Sequence, residues 1–269
     1  MDMPRARTPR SGSLCALRAL PILLCLFALS ACITSRDTVF TEPASPDEVL
    51  TQRVELARKY IGDGNWDAAK RNLKVAASIN DRKPEVHEAF ALVYQSTGEI
   101  EMAEASYQRA IALDDRFSRA RNNYAAFLFS QQRFKEAEQQ LQAVVRDTLY
   151  EARPRAFINL GLSRLALADD DGAEEAFIRA LSMQGNNSIP LLEMASLRLK
   201  AGDYRAAAQY YERYRSAVRR QSARGLWLGV RLAQATGDRD AEGSYALALR
   251  NLYPESPEYA AYARQAGDS

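Results

Sequence analysis

The feature that most constrains the fold is a repeat of about 34 residues that runs through most of the chain. A large apolar residue followed by a small one recurs at Leu56-Ala57, Phe90-Ala91, Tyr124-Ala125, Leu160-Gly161, Met194-Ala195 and Leu228-Gly229. The spacings are 34, 34, 36, 34 and 34 residues, so the junction after the third unit is two residues longer. An alanine follows each small residue after twelve positions: Ala69, Ala103, Ala137, Ala173, Ala207 and Ala241. Self-similarity at this period is typical of stacked structural repeats.

Within each unit, the pattern indicates two closely packed helices. Helices approach closely only where side chains are small, so the small residue and the alanine belong on facing helices. Gly64, Gly98 and Gly202 suit the turn that ends a helix. The pattern resembles the tetratricopeptide repeat. The resemblance implies an all-α, right-handed superhelical solenoid of six repeats over residues 45–255. Ser256 as N-cap and Pro257 at N1 predict a C-terminal capping helix over residues 256–269. We expect thirteen helices and essentially no strand.

The first 31 residues have the pattern of an export signal. A basic segment precedes an apolar run over residues 19–29, which is too short to span a bilayer. Leu29-Ser30-Ala31-Cys32 follows and resembles the bacterial lipobox. The resemblance implies removal of residues 1–31 and a covalent diacylglycerol and N-acyl lipid on Cys32. Such an anchor holds a protein stably on a membrane.

The residues after Cys32 indicate where the anchored protein goes and where its body begins. Position two of the mature chain is Ile33 and not Asp, which by the sorting rule for such lipoproteins implies the periplasmic face of the outer membrane of a Gram-negative bacterium. Residues 32–44 lack a helical period and are predicted to form a lipidated tether. Ser45, Pro46 and Glu48 predict a capping box, so the first helix starts there.

Composition argues against several classes of function. Lys and Arg number 36 against 34 Asp and Glu, so no excess of positive charge favours nucleic acid. All three cysteines lie in the first 32 residues and His87 is the one histidine, so we expect no metal site. The common phosphate-binding and nucleophile motifs are absent. We therefore expect no enzyme, no bound cofactor beyond the lipid and no small-molecule substrate. We interpret His87 as a helix-surface residue and the acidic run 169–171 as helix capping.

The candidate binding surface follows from the resemblance, because tetratricopeptide arrays bind partners in a groove lined by their first helices. Groove positions become apolar from the third repeat onwards, which favours an apolar peptide or an amphipathic helix. The candidate residues are Asn122, Phe129, Ile158, Leu162, Leu165, Leu192 and Leu199. Two alternatives remain open. This stripe could instead pack helix against helix, and the binding groove could lie in the first repeat around Val54, Ile61 and Trp66.

Several segments sharpen the resemblance to one family. They are Asn122-Asn123-Tyr124, Asp147-Thr148-Leu149-Tyr150, Asn159-Leu160-Gly161-Leu162, Leu228-Gly229-Val230-Arg231-Leu232-Ala233 and Leu252-Tyr253-Pro254. They look like the type IV pilus biogenesis lipoproteins, the PilF/PilW family of secretin pilotins, and the likeness covers nearly all of the mature chain. Asp-Thr-Leu-Tyr, at the longer junction, is the most distinctive segment.

The family resemblance implies a function that composition and spacing do not show. It implies an outer-membrane scaffold that binds subunits of the pilus secretin and promotes their outer-membrane localisation and multimerisation for type IV pilus biogenesis. The alternative is another lipid-anchored tetratricopeptide adaptor, which would serve cell-wall enzymes or outer-membrane protein assembly.

Overall fold

The computed structural model describes residues 44–267, which form thirteen helices. The first helices of six successive pairs are α1 (Pro46–Gly62), α3 (Pro84–Thr97), α5 (Ser118–Ser130), α7 (Arg153–Ala166), α9 (Ser188–Lys200) and α11 (Ala223–Thr236). The second helices are α2 (Trp66–Ile79), α4 (Ile100–Leu113), α6 (Phe134–Val144), α8 (Asp170–Met183), α10 (Tyr204–Ala217) and α12 (Arg239–Leu252), and α13 (Pro257–Gly267) follows. This is the all-α solenoid that the repeat predicts. The signal peptide, Cys32 and the tether up to residue 43 lie outside the described residues.

The helix ends follow from capping chemistry that the sequence already contains. The Ser45 backbone N–H donates to Glu48 Oε2 at 2.7 Å, and the Glu48 N–H donates to Ser45 Oγ at 3.2 Å, which confirms the predicted capping box. The Tyr259 N–H donates to Ser256 Oγ at 3.1 Å at the start of α13. Gly98 ends α3 with a φ of 79°, in the left-handed region where glycine is favoured.

The small residues of the repeat hold the two helices of each pair together. Five of the six repeated alanines are at most 1% exposed, and Ala241 near the chain's end is half-buried. Gly161 takes the place of alanine in the fourth repeat because a Cβ there would collide with the ring of Phe177. A Cβ on Gly229 would meet Tyr211 in the same way. The buried residues form four clusters along the chain, and half-buried Leu162 and Leu181 each pack against two of them, so neighbouring repeats share their packing.

Candidate functional site

The first-helix face of repeats one to three contains a buried carboxylate network. Glu88, on α3, is fully buried. Its Oε1 accepts a hydrogen bond from Asn123 Nδ2 on α5 at 2.6 Å, and its Oε2 accepts one from the guanidinium of Arg58 on α1. Arg119 Nε lies 4.0 Å from the same Oε2. One side chain therefore ties together the first helices of three successive repeats.

Sequence reasoning missed Glu88, although a signal for it exists. The fifth position of the repeat carries Val54, Glu88, Asn122, Ile158, Leu192 and Leu226, so a charge is the exception there. The structure shows that this position points toward the neighbouring first helix. A carboxylate at such a position must be neutralised, because an unpaired buried charge costs several kcal/mol. Arg58 and Asn123 provide that partner set.

Several residues of the predicted apolar groove are buried in the core and do not form a continuous surface. Ile158 is 4% exposed and Leu192 and Leu199 are each 8% exposed, so these three side chains are packed between helices. Asn122 is 4% exposed and accepts a hydrogen bond from Asn159 Nδ2 at 3.3 Å. We therefore correct the expectation that Ile158, Leu192 and Leu199 offer a surface to a partner, whereas the small exposed part of Asn122 lines the cleft at the junction described below. Helical periodicity identifies an apolar face, but it does not distinguish contact with the next helix from contact with a ligand.

The remaining groove candidates are half-buried and lie on α5 and α7. Phe129 and Leu162 line a small cleft of about 90 Å³ whose other walls include Ala126 and Asn159. The ring of Phe129 meets that of Phe134 edge-on, with 5.0 Å between centroids. Leu165 is also half-buried, and it packs with Leu162 beside a separate buried cluster, outside this cleft. Phe129 and Leu162 are thus the apolar members of the predicted stripe that line this cleft.

The alternative groove in the first repeat also contains both buried and half-buried residues. Val54 is 3% exposed and belongs to the N-terminal core, which corrects its assignment as a binding residue. Ile61 and Trp66 are half-buried and pack against that core at the end of α1 and the start of α2. They present a limited apolar surface beside the turn at Gly64.

The longer junction between α6 and α7 shapes the rim of a second cleft, of about 690 Å³. Asp147 accepts hydrogen bonds from Ser118 Oγ at 2.5 Å and from the Leu149 backbone N–H at 3.0 Å. These bonds, the first above all, hold the pKa of Asp147 below its usual range. Leu149 itself is 91% exposed, although it is a large apolar side chain. Arg119 and Arg155 lie in the same cleft.

The other residues that the sequence singled out have structural roles. A ring nitrogen of His87 lies 2.6 Å from the carbonyl oxygen of Asp81. Asp169 caps α8 by accepting the Gly172 N–H at 3.0 Å. Within residues 44–267, no group of three or more His, Cys, Asp or Glu side chains could hold a metal ion. No helix in the same range is long and apolar enough to cross a membrane.

Six helix pairs and an accessible first-helix face define a tetratricopeptide-repeat protein, a class that binds other proteins. The tetratricopeptide-repeat family model matches residues 84–117, which are the second repeat of this chain. The chain is 38% identical over 244 residues to type IV pilus assembly protein PilF of Pseudomonas aeruginosa, covering 90% of this chain and 96% of that protein. The chain therefore belongs to the PilF family.

Solved structures agree with this assignment. The P. aeruginosa PilF structure matches with a TM-score of 0.78 and 39% identity, over 82% of this chain and 99% of the other. The structure of PilW, described as a widely conserved type IV pilus biogenesis factor, matches with a TM-score of 0.71. At 24% identity over 80% of this chain and 98% of that one, PilW supports the fold. An uncharacterised protein of Haemophilus influenzae is 32% identical over 136 residues, covering 51% of this chain and 74% of that protein.

Proposed function

We propose that this protein acts in type IV pilus biogenesis as an outer-membrane pilotin. In this role it binds secretin subunits, brings them to the outer membrane and promotes their multimerisation. The observation that carries the proposal is the identity to PilF, which extends over 96% of that protein. Likeness over the whole length favours a shared role more strongly than likeness of a single repeat would.

The test of this role is the state of the secretin in cells that lack the protein. We expect secretin multimers in the outer-membrane fraction to fall sharply on deletion and to return when the intact gene is supplied. We also expect secretin subunits to co-purify with the intact lipoprotein from detergent-solubilised envelope. Normal multimers in the deletion strain would overturn the proposal. Co-purification of cell-wall enzymes in place of secretin would favour the adaptor alternative.

The proposed location depends on the lipid anchor. Leu29-Ser30-Ala31-Cys32 is the lipobox-like segment, and Ile33 follows it. We expect Cys32→Ala to abolish labelling of the protein by a radioactive fatty acid and to release it from the outer-membrane fraction. Cys25→Ala, within the predicted signal peptide, is the matched control and should label normally. Label that persists on Cys32→Ala would contradict the anchor.

The proposed contact surface is the cleft between Phe129 and Leu162. Both side chains are half-buried, so an apolar group of a partner can complete their burial, which contributes about 25 cal/mol per Å². We expect Phe129→Glu or Leu162→Glu to abolish secretin capture while the helical circular dichroism is retained. Ile178→Glu, on the exposed side of α8, is the matched control. Normal capture by both variants would move the contact to Ile61 and Trp66, and loss of helix would assign the cleft to the core.

A further inference from the structure

The junction between the third and fourth repeats opens a cleft on the side of the second helices. Helix α6 has 11 residues, whereas α2, α4, α8, α10 and α12 each have 14. Helix α6 is therefore about one helical turn shorter, and residues 145–152 connect its end to the start of α7. A cleft of about 600 Å³ lies there, between α6, α7 and α8. Its volume is in the range of ordinary ligand sites.

The walls of this cleft carry an excess of positive charge. The charged residues that line it are Arg146, Arg153, Arg164, Arg179 and Glu175. Four guanidinium groups and one carboxylate line the cleft, and Glu138, outside the lining, neutralises one of the four, so a net positive charge remains. Cations gathered in a concave surface raise the local concentration of anionic ligands, because the low-dielectric walls focus their field.

Two of the four arginines are already used by the fold. Arg164 Nε donates to Glu138 Oε1 at 3.0 Å, and its Nη1 donates to the carbonyl of Gly172 at 2.9 Å. Arg153 Nε donates to the carbonyl of Val145 at 2.8 Å. Its guanidinium also lies over the ring of Phe157, 5.4 Å from the centroid. These contacts hold the side chains of Arg153 and Arg164 in place in the wall of the cleft.

The other two arginines have no such role. Arg146, after the end of α6, and Arg179, on α8, are exposed, and within residues 44–267 their guanidinium groups make no hydrogen bond or ion pair. Each guanidinium offers five donors in a planar arrangement that matches a carboxylate. Both residues line the cleft, so their donors are available to an anion there.

The floor favours a peptide over a lipid. Phe157, Leu160 and Ala176 are 9%, 3% and 2% exposed, so they leave little apolar surface for an acyl chain. Met183, at 40% exposed, is the larger apolar contact. The exposed part of Met183 is large enough to contact one apolar side chain of a ligand, and the flexible methionine side chain can adapt to different contact shapes. Gln142, in the same wall, donates its amide N–H to Glu138 Oε1 at 3.1 Å and keeps its carbonyl oxygen as an acceptor for a peptide N–H.

We infer that this cleft binds an acidic segment of a partner protein, with a carboxylate between Arg146 and Arg179 and a neighbouring apolar side chain on Met183. Recognition of acidic motifs by arginine clusters is a recurrent mode of peptide binding. The inference adds a second contact to that of Phe129 and Leu162, and it stands whether or not the secretin supplies the segment.

The test uses the full-length protein in mild detergent and an array of amide-capped decapeptides. Each acidic peptide on the array is paired with an isostere in which Asp is Asn and Glu is Gln. We expect acidic peptides with an adjacent apolar residue to bind at least about tenfold more tightly than their isosteres, because charge-assisted pairs with arginine are strong. We expect Arg146→Gln combined with Arg179→Gln to remove that preference.

A matched pair of substitutions separates a local site from a general charge effect. Arg109→Gln combined with Arg250→Gln removes two exposed arginines from α4 and α12, so the net charge changes equally. This control should keep the preference for acidic peptides, and both double variants should keep their thermal midpoints. Equal binding of acidic peptides and isosteres, or equal loss in the control, would overturn the inference. Binding of phosphatidylglycerol vesicles through Arg146 and Arg179, with no peptide bound, would also overturn it.

Discussion

The third and fourth repeats form the middle of the solenoid, and the repeats on either side form its flanks. The middle departs from the 34-residue pattern more than the flanks do. In the flanks, Gly64, Gly98 and Gly202 take the left-handed turn between the helices of a pair. In the third and fourth repeats, Gln132 and Ala168 take that conformation, with φ values of 61° and 60°. The middle also contains the shortened α6 and the longer junction.

This difference shows where the chain departs from its own local rules without losing its helix packing. Ala137 and Ala173, in the middle, are as fully buried as Ala69 and Ala103 in the flank. Departures that leave the core intact are expected where a surface has a function to perform. The clefts beside the junction lie in this middle region, whereas the Glu88 network joins the first two repeats to each other and to the third.

The largest effect is expected in the flank. Glu88→Ala would leave Arg58 and Asn123 without their buried acceptor, and breaking a buried pair in this way costs roughly 3–5 kcal/mol. The free energy of unfolding, measured by urea titration, checks this. Glu193→Ala is the matched control, since Glu193 is only 3% exposed but its partner Arg224 has a side chain that is 55% exposed. An equal loss in both would mean that burial of the arginine is unimportant.

A smaller effect is expected from overpacking the middle. Ala137 is 0% exposed where α6 meets its partner helix, so Ala137→Trp should destabilise the protein by about 1–3 kcal/mol. Thermal melting followed by circular dichroism measures it. Ala241→Trp places the same side chain at the half-buried equivalent position of the sixth repeat and should cost less. An unchanged midpoint for Ala137→Trp would contradict the tight contact.

Substitutions in the left-handed turns are expected to change the free energy of unfolding in opposite directions in the middle and in the flanks. Gln132→Gly and Ala168→Gly should each stabilise the protein by about 0.5–1 kcal/mol, because glycine adopts a positive φ without steric cost. Gly98→Ala should destabilise it by a similar amount, since nothing lies within 4 Å of the added Cβ and the cost is conformational. Urea titration of the three variants gives the comparison. If the free energy of unfolding changes in the same direction in all three variants, the backbone conformation of these turns does not distinguish the middle from the flanks.

The sequence predicted most of the fold because the repeat constrains it at many positions at once. The 34-residue spacing predicted twelve helices, Ser256 and Pro257 predicted the thirteenth, and the segment Ser45–Glu48 predicted the start of α1. The left-handed turns at Gln132 and Ala168 could not be predicted, because neither residue type favours that conformation. Their positions, aligned with Gly98, were the one available signal.

The candidate site was harder to predict than the fold. Ile158, Leu192 and Leu199 have the same apolar character as Phe129 and Leu162, and they differ in which neighbour covers them. That depends on the distance between successive first helices, which no local pattern encodes. Glu88 was missed for a related reason, because its partners Arg58 and Asn123 come from two other repeats.

The smallest effect is expected at the junction itself, from Asp147→Asn. Hydrogen bonds from Ser118 and the Leu149 backbone hold the pKa of Asp147 below its usual range. A carboxyl with a depressed pKa in the folded state stabilises the protein above its unfolded pKa, and that contribution is lost as the pH falls through the folded pKa. Asp147→Asn should therefore lower the free energy of unfolding near pH 7 and flatten its decline in acid. The midpoints in urea at pH 7 and at pH 3 measure both effects, and Asp115→Asn, on an exposed turn, is the control. A variant whose decline with pH matches that of the unaltered protein would show that Asp147 does not hold the junction, and that other contacts give this segment its shape.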